Sequence, residues 1–106
     1  MPKYFASFDY SATGTQGLLK DGGSQREKAV TAAVTALGGK VDAFYFAFGQ
    51  ADAILILDLP DNVTAAAVSL VVSASGAGAI RTTPLLTPKD VDAAAKMKVS
   101  YRAPGA

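Results

Sequence analysis

Two runs of strand-forming residues, Lys40–Phe48 (KVDAFYFAF) and Ala53–Leu59 (AILILDL), stand four residues apart in the middle of the chain. Gly49-Gln50-Ala51-Asp52 between them reads as a tight hairpin connection. Side chains alternate across a strand. One side of the first run therefore carries Phe44, Phe46 and Phe48, and the other Val41, Ala43, Tyr45 and Ala47. In the second run Ile54 and Ile56 oppose Ala53, Leu55, Leu57 and Leu59. An antiparallel sheet with one solvated face shows polar residues on that face. This hairpin is apolar on both, so helices of the same chain must cover one face and something further must cover the other.

The flanking segments supply the helices. Lys3–Tyr10 alternates Tyr4, Ala6, Phe8 and Tyr10 against Phe5, Ser7 and Asp9, the period of a strand. Ser11–Gly23, with Gly14, Gly17, Gly22 and Gly23, reads as a loop holding at most one helical turn at Gly17–Lys20. Ser24 with Glu27 three residues on has the spacing of a capping box. Val30, Ala33, Val34 and Leu37 then fall on one helical face, and Gly38-Gly39 ends the helix. After the hairpin, Pro60 stops the strand and Asp61 or Asn62 caps a second helix running to about Ser75. Ala79–Leu85 is a weaker strand, and Pro84 places it at a sheet edge or strand end. Thr87-Pro88, with Asp90, starts a third, short helix ending near Lys98, and Val99–Ala106 is a frayed tail. The order β-α-β-β-α-β predicts an α+β domain of the ferredoxin-like type over residues 1–98. It has a four-stranded antiparallel sheet, both main helices on one face and a short C-terminal helix. The uncovered apolar face predicts a homo-oligomer, because a second copy is the simplest cover.

Composition narrows the chemistry. There is no cysteine, which excludes disulfides, thiol nucleophiles and cysteine-held metals or clusters. There is no histidine, which removes the usual general base and the commonest transition-metal ligand. No cofactor or metal is expected. Ten basic residues balance nine acidic ones without forming a basic stripe, so nucleic acid is not an expected partner. No apolar run is long enough to span a bilayer, and the opening Met-Pro-Lys-Tyr lacks the pattern of a signal peptide. A cytoplasmic location without membrane association is the expectation.

Gly38-Gly39-Lys40-Val41, Phe44-Tyr45, Gly49-x-x-Asp52 and Leu59-Pro60-Asp61 together resemble the pattern of the GYD-domain family, small chains of the dimeric α+β barrel group. Gly17-Leu18-Leu19-Lys20-Asp21 with Arg26 resembles that family's loop before the first helix, and Ile80-Arg81-Thr82 its last strand. The resemblance covers roughly residues 3–92. Gln50 and Ala51 depart from it, standing where the family has Arg and Tyr. It implies the fold and an oligomer, and no particular reaction.

Few side chains suit a site. Asp52 either fixes the hairpin bend, as turn aspartates do, or serves as a general base. Tyr45 is the second catalytic candidate. Tyr4, Tyr10 and Arg81 are candidates for binding a ligand; their plainer roles are packing with a hydroxyl at the rim and a surface ion pair. Three functions follow. The first is a domain that binds a small apolar molecule in a cleft between sheet and helices, with Ser11–Gly23 as a lid. The second is a cofactor-independent oxygenase or isomerase acting through Asp52 or a tyrosine. The third is a structural assembly module bearing on other chains through its small-residue helix around Ala65-Ala66-Ala67 or its C-terminal helix.

Overall fold

The computed structural model describes residues 1–106. The elements are β1 (Lys3–Tyr10), α1 (Ala12–Asp21), α2 (Gly23–Ala36), β2 (Lys40–Phe46), β3 (Ala53–Asp58), α3 (Asn62–Ala74), β4 (Gly78–Pro84) and α4 (Pro88–Lys96). The four strands form one antiparallel sheet in the order β2-β3-β1-β4. This is the expected ferredoxin-like α+β fold. β4 is an edge strand, and Pro84 is its last residue. No helix is long and apolar enough to cross a membrane.

The core lies between the sheet and the helices. Tyr4, Ala6 and Phe8 of β1 and Ala53, Leu55 and Leu57 of β3 are buried, with Leu59 just beyond β3, Val34 of α2 and Ala65 of α3. The alternation read from the sequence holds in β3, where burial follows every second residue, and in β1 except at Ser7, which is buried on the other face. In β2 it fails at one point. A bulge between Val41 and Ala43 shifts the register, so Val41 joins Phe44 and Phe46 against the core instead of lying with Ala43 and Tyr45. A bulge inserts one unpaired residue and reverses the alternation beyond it. Asp42, the extra residue, bonds Lys3, whose Nζ also reaches Asp58 Oδ1 at 2.9 Å.

Three further expectations are corrected. Ser11–Gly23 is not a loop but the helix α1. Ser11 caps it by accepting the Gly14 N–H at 3.0 Å. Gly14 is required for proximity rather than flexibility: a Cβ there would collide with the Ala77 carbonyl, where the chain enters β4. Counting glycines as breakers misses such a helix, since they mark close approach as well as turns. The Ser24–Glu27 capping box does not form. Helix α2 starts two residues earlier, at Gly23, behind Gly22 at φ 81°, and no side chain caps it. The Gly22 N–H instead bonds the Leu18 carbonyl, so α1 runs directly into α2 and leaves no place for a Ser24 cap. The hairpin connection is also longer than expected, because β2 stops at Phe46. Phe48 takes φ 55°, a conformation costly for a bulky residue. It is held by stacking on Phe46 at 5.8 Å.

The other helix ends match the expectations. Leu37, Gly38 and Gly39 return their N–H groups to Val34 and Thr35 at the end of α2. Asp61 caps α3 through the Thr64 N–H at 2.8 Å. Thr87 and Asp90 form the capping box that starts α4, with Pro88 in its first turn. Helix α4 buries no residue. It extends the molecule to 57 Å with a radius of gyration of 17.0 Å, against about 13 Å for a compact chain of this size.

Candidate functional site

A cleft opens between α2 and α3 and reaches down to the sheet. Its inner lobe, about 70 Å³, has walls from every layer of the fold: Phe8, Phe44 and Leu55 from the sheet, Val30 and Val34 from α2, and Val68 and Val72 from α3. Eleven of its twelve lining residues are hydrophobic, and the exception is Arg26. A groove of about 180 Å³ adjoins it between the two helices and shares Arg26, Val30, Val34, Val68 and Val72. The cleft follows from the sequence. Ala29, Ala33 and the valines are short side chains on facing helices, so the helices leave space that leucines or phenylalanines would fill.

The polar end of the cleft is at Tyr10. Phe8 meets the Tyr10 ring edge-on at 4.7 Å, and the Arg26 guanidinium lies beside its hydroxyl. Burial raises the Tyr10 hydroxyl above its ordinary pKa; the Arg26 charge opposes this and the Asp52 charge adds to it. Asp52 is tied to the same strand. Its Oδ2 accepts the Tyr10 N–H at 2.9 Å and its own N–H donates to the Phe8 carbonyl at 2.9 Å.

Of the residues singled out from the sequence, the structure brings Asp52 and Tyr10 together at this end. Tyr4 lies apart, fully buried, with its hydroxyl 2.6 Å from Asn62 Oδ1 at the start of α3. Tyr45 and Arg81 are on the opposite, helix-free face of the sheet: Tyr45 is 71% exposed, and Arg81 pairs with Asp9 at 3.3 Å. Arg26 was not singled out as a site residue. Its sequence signals are its place in the stretch that resembles the family's loop and its position on the first turn of a helix whose apolar face carries Val30 and Val34. Reading it as a cleft residue requires knowing that α3 faces α2 across a gap.

The geometry defines a class: a small α+β domain with helices on one face of a single antiparallel sheet, an apolar cleft between them and a bare face behind. A family model, the GYD domain, matches residues 4–95, and the chain belongs to the GYD-domain family. No curated protein and no solved structure matches it.

Proposed function

We propose that the chain is a binding domain for a small apolar molecule, held between α2, α3 and the sheet. The observation that carries this reading is the cleft wall, lined by eleven apolar side chains out of twelve and drawn from four strands and two helices. Ligand sites are mostly apolar concavities with a few placed polar groups. The lid expected from Ser11–Gly23 finds no support, because that segment is the helix α1, packed through Gly14 against Ala77, and none of its residues lines the cleft. The alternative of a cofactor-independent oxygenase or isomerase draws on Tyr10 and Asp52 at the cleft's end; the Asp52 carboxylate is already engaged by a backbone N–H, which favours binding over proton transfer.

The same reading places a second copy of the chain over the bare sheet face. Phe5, Ala43, Ile54, Ile56 and Thr83 share that face with Tyr45, by the pairing of the strands. Charges lie at its ends: Lys3, Lys40 and Arg81 pair with Asp42, Asp58 and Asp9. An apolar centre with a polar rim is the pattern of an interface. Three positive and three negative charges balance, so two identical faces meet without net repulsion. The assembly-module reading finds its support in α4, which buries no residue and leaves Val91 exposed, and in the segment after it, which leaves Met97 and Tyr101 exposed.

Native mass spectrometry of the purified chain beside Val72→Trp, which fills the cleft, tests the binding reading. The expected result is a small apolar molecule retained by the native chain and absent from the variant. Retention of nothing by either chain, with no shift of the Val30 and Val72 amide resonances on adding 4-phenylbutanol, overturns it.

A further inference from the structure

The lining of the cleft holds a single charged side chain, Arg26, and it makes no ion pair within the chain. The ion pairs of the protein use Lys3, Lys40 and Arg81. Arg26 takes part in none, although it is half-buried and borders both the inner lobe and the outer groove. A guanidinium stays charged throughout the physiological range and carries five N–H donors in a planar fork. Beyond the Tyr10 hydroxyl, the apolar wall offers those donors no acceptor, and a charge withdrawn from water is costly unless paired.

We propose that the ligand of the cleft is a small hydrophobic carboxylate, its apolar body among Phe8, Phe44, Val30, Val68 and Val72 and its carboxylate against Arg26 and the Tyr10 hydroxyl. This rests on the reading of the cleft as a binding site and names the class of molecule it takes. A planar carboxylate matches the guanidinium fork in bidentate fashion. Its single negative charge matches the single cation of the lining, whereas a phosphate dianion would carry a second charge with no second cation to meet it and would be repelled more strongly by the Asp52 carboxylate. Tyr10 is suited to the second contact, because its hydroxyl stays protonated and so donates. Size limits the body. The inner lobe is about 70 Å³ and the groove about 180 Å³. An apolar cavity of about 150 Å³ admits benzene, so the two lobes together suit one aromatic ring or a short alkyl chain rather than a fused-ring system or a nucleotide.

The test is a pair of probes with one carbon skeleton, 4-phenylbutyrate and 4-phenylbutanol. Each is titrated into the ¹⁵N-labelled chain while the amides of Val30, Val68 and Val72 are followed. Both are expected to move those amides, the acid binding about ten-fold more tightly or better. In Arg26→Met, which keeps the apolar stem, the acid should lose that advantage while the alcohol binds as before. Equal affinity of acid and alcohol for the native chain, or an acid preference that survives in Arg26→Met, overturns the carboxylate and leaves the apolar cleft standing. Binding of neither probe at these amides overturns both readings.

Discussion

The Asp52 side chain accepts the backbone N–H of Tyr10 at 2.9 Å, while the Asp52 N–H donates to the Phe8 carbonyl. One residue thus clasps the end of β1 to the start of β3, two strands that neighbour each other only in space. The Asp52 carbonyl also accepts the Ala47 N–H, which closes the β2–β3 connection. An aspartate at a turn is expected to fix its own bend; here it also locks the register of a neighbouring strand. Asp52→Ala removes a partly buried acceptor and leaves the Tyr10 N–H unpaired, at an expected cost of about 1–3 kcal/mol. Asp52→Asn, which keeps an acceptor oxygen, should lose less. Urea denaturation of both variants checks this, and an Asp52→Ala midpoint equal to the native one would show the clasp to be idle.

Two glycines of one helix should respond to alanine with opposite signs. At Gly14 a methyl group would meet the Ala77 carbonyl, so Gly14→Ala must push α1 away from the start of β4 and destabilise by about 1–3 kcal/mol. At Gly17 the same methyl meets nothing within 4 Å, and Gly17→Ala should stabilise by about 0.5–1 kcal/mol through helix propensity. Thermal melts of the two variants report the contrast directly. Equal shifts in the same direction would contradict the packing of α1 described above.

Acid should weaken the fold through Asp61 and Asp42. The Thr64 N–H and hydroxyl hold the Asp61 carboxyl below its ordinary pKa, and Lys3 does the same for Asp42. A carboxylate with a lowered folded-state pKa contributes stability that is complete above the unfolded value and is lost as pH falls through the folded one. The loss should therefore begin near the ordinary carboxylate value of about 4 and continue below it. Asp61→Ser keeps a capping oxygen without the charge and should flatten this part of the curve. Denaturation midpoints measured between about pH 5 and about pH 2 decide the matter. Lys3 acts in the opposite direction at the alkaline end. Its pKa is raised by Asp42 and Asp58, so its contribution is present below the unfolded value of 10.5 and fades as pH rises through the folded one.

If a second copy covers the bare sheet face, a charge at its centre should separate the copies without unfolding either. Ile54 and Ile56 lie there, and their neighbours Ala53, Leu55 and Leu57 hold the core on the other side. Ile54→Asp with Ile56→Lys adds no net charge but replaces the apolar centre, and light scattering should report the monomer mass while circular dichroism stays native. An unchanged mass would remove this face as the interface.

Removal of residues 87–106 should leave the stability of the body within about 0.5 kcal/mol, because no residue of α4 or of the segment after it is buried. The Leu85 N–H, which bonds the Lys3 carbonyl, is kept in such a chain. A thermal midpoint matched to the full chain is the expected reading, and a large drop would show that the arm packs on the body or on another copy.

Much of the architecture was legible because it rests on local chemistry. The period of two in Lys3–Tyr10 and Ala53–Leu59, the Asp61 and Thr87 caps and the Gly38-Gly39 stop depend on residues next to one another in the chain, and all appear where the pattern placed them. That both faces of the hairpin are apolar was equally legible, as alternation needs only neighbours. Features governed by distant contacts were not. Helix α1 fits through Gly14 against Ala77, sixty-three residues on, and the bulge at Asp42 sets that side chain where Lys3 bonds it across the sheet. The cleft is of this second kind. Val30, Val68, Tyr10 and Arg26 carry no mark in sequence that they line one space, since a cavity is what two helices leave between them when each packs on the sheet, and only the tertiary fold decides where that gap lies.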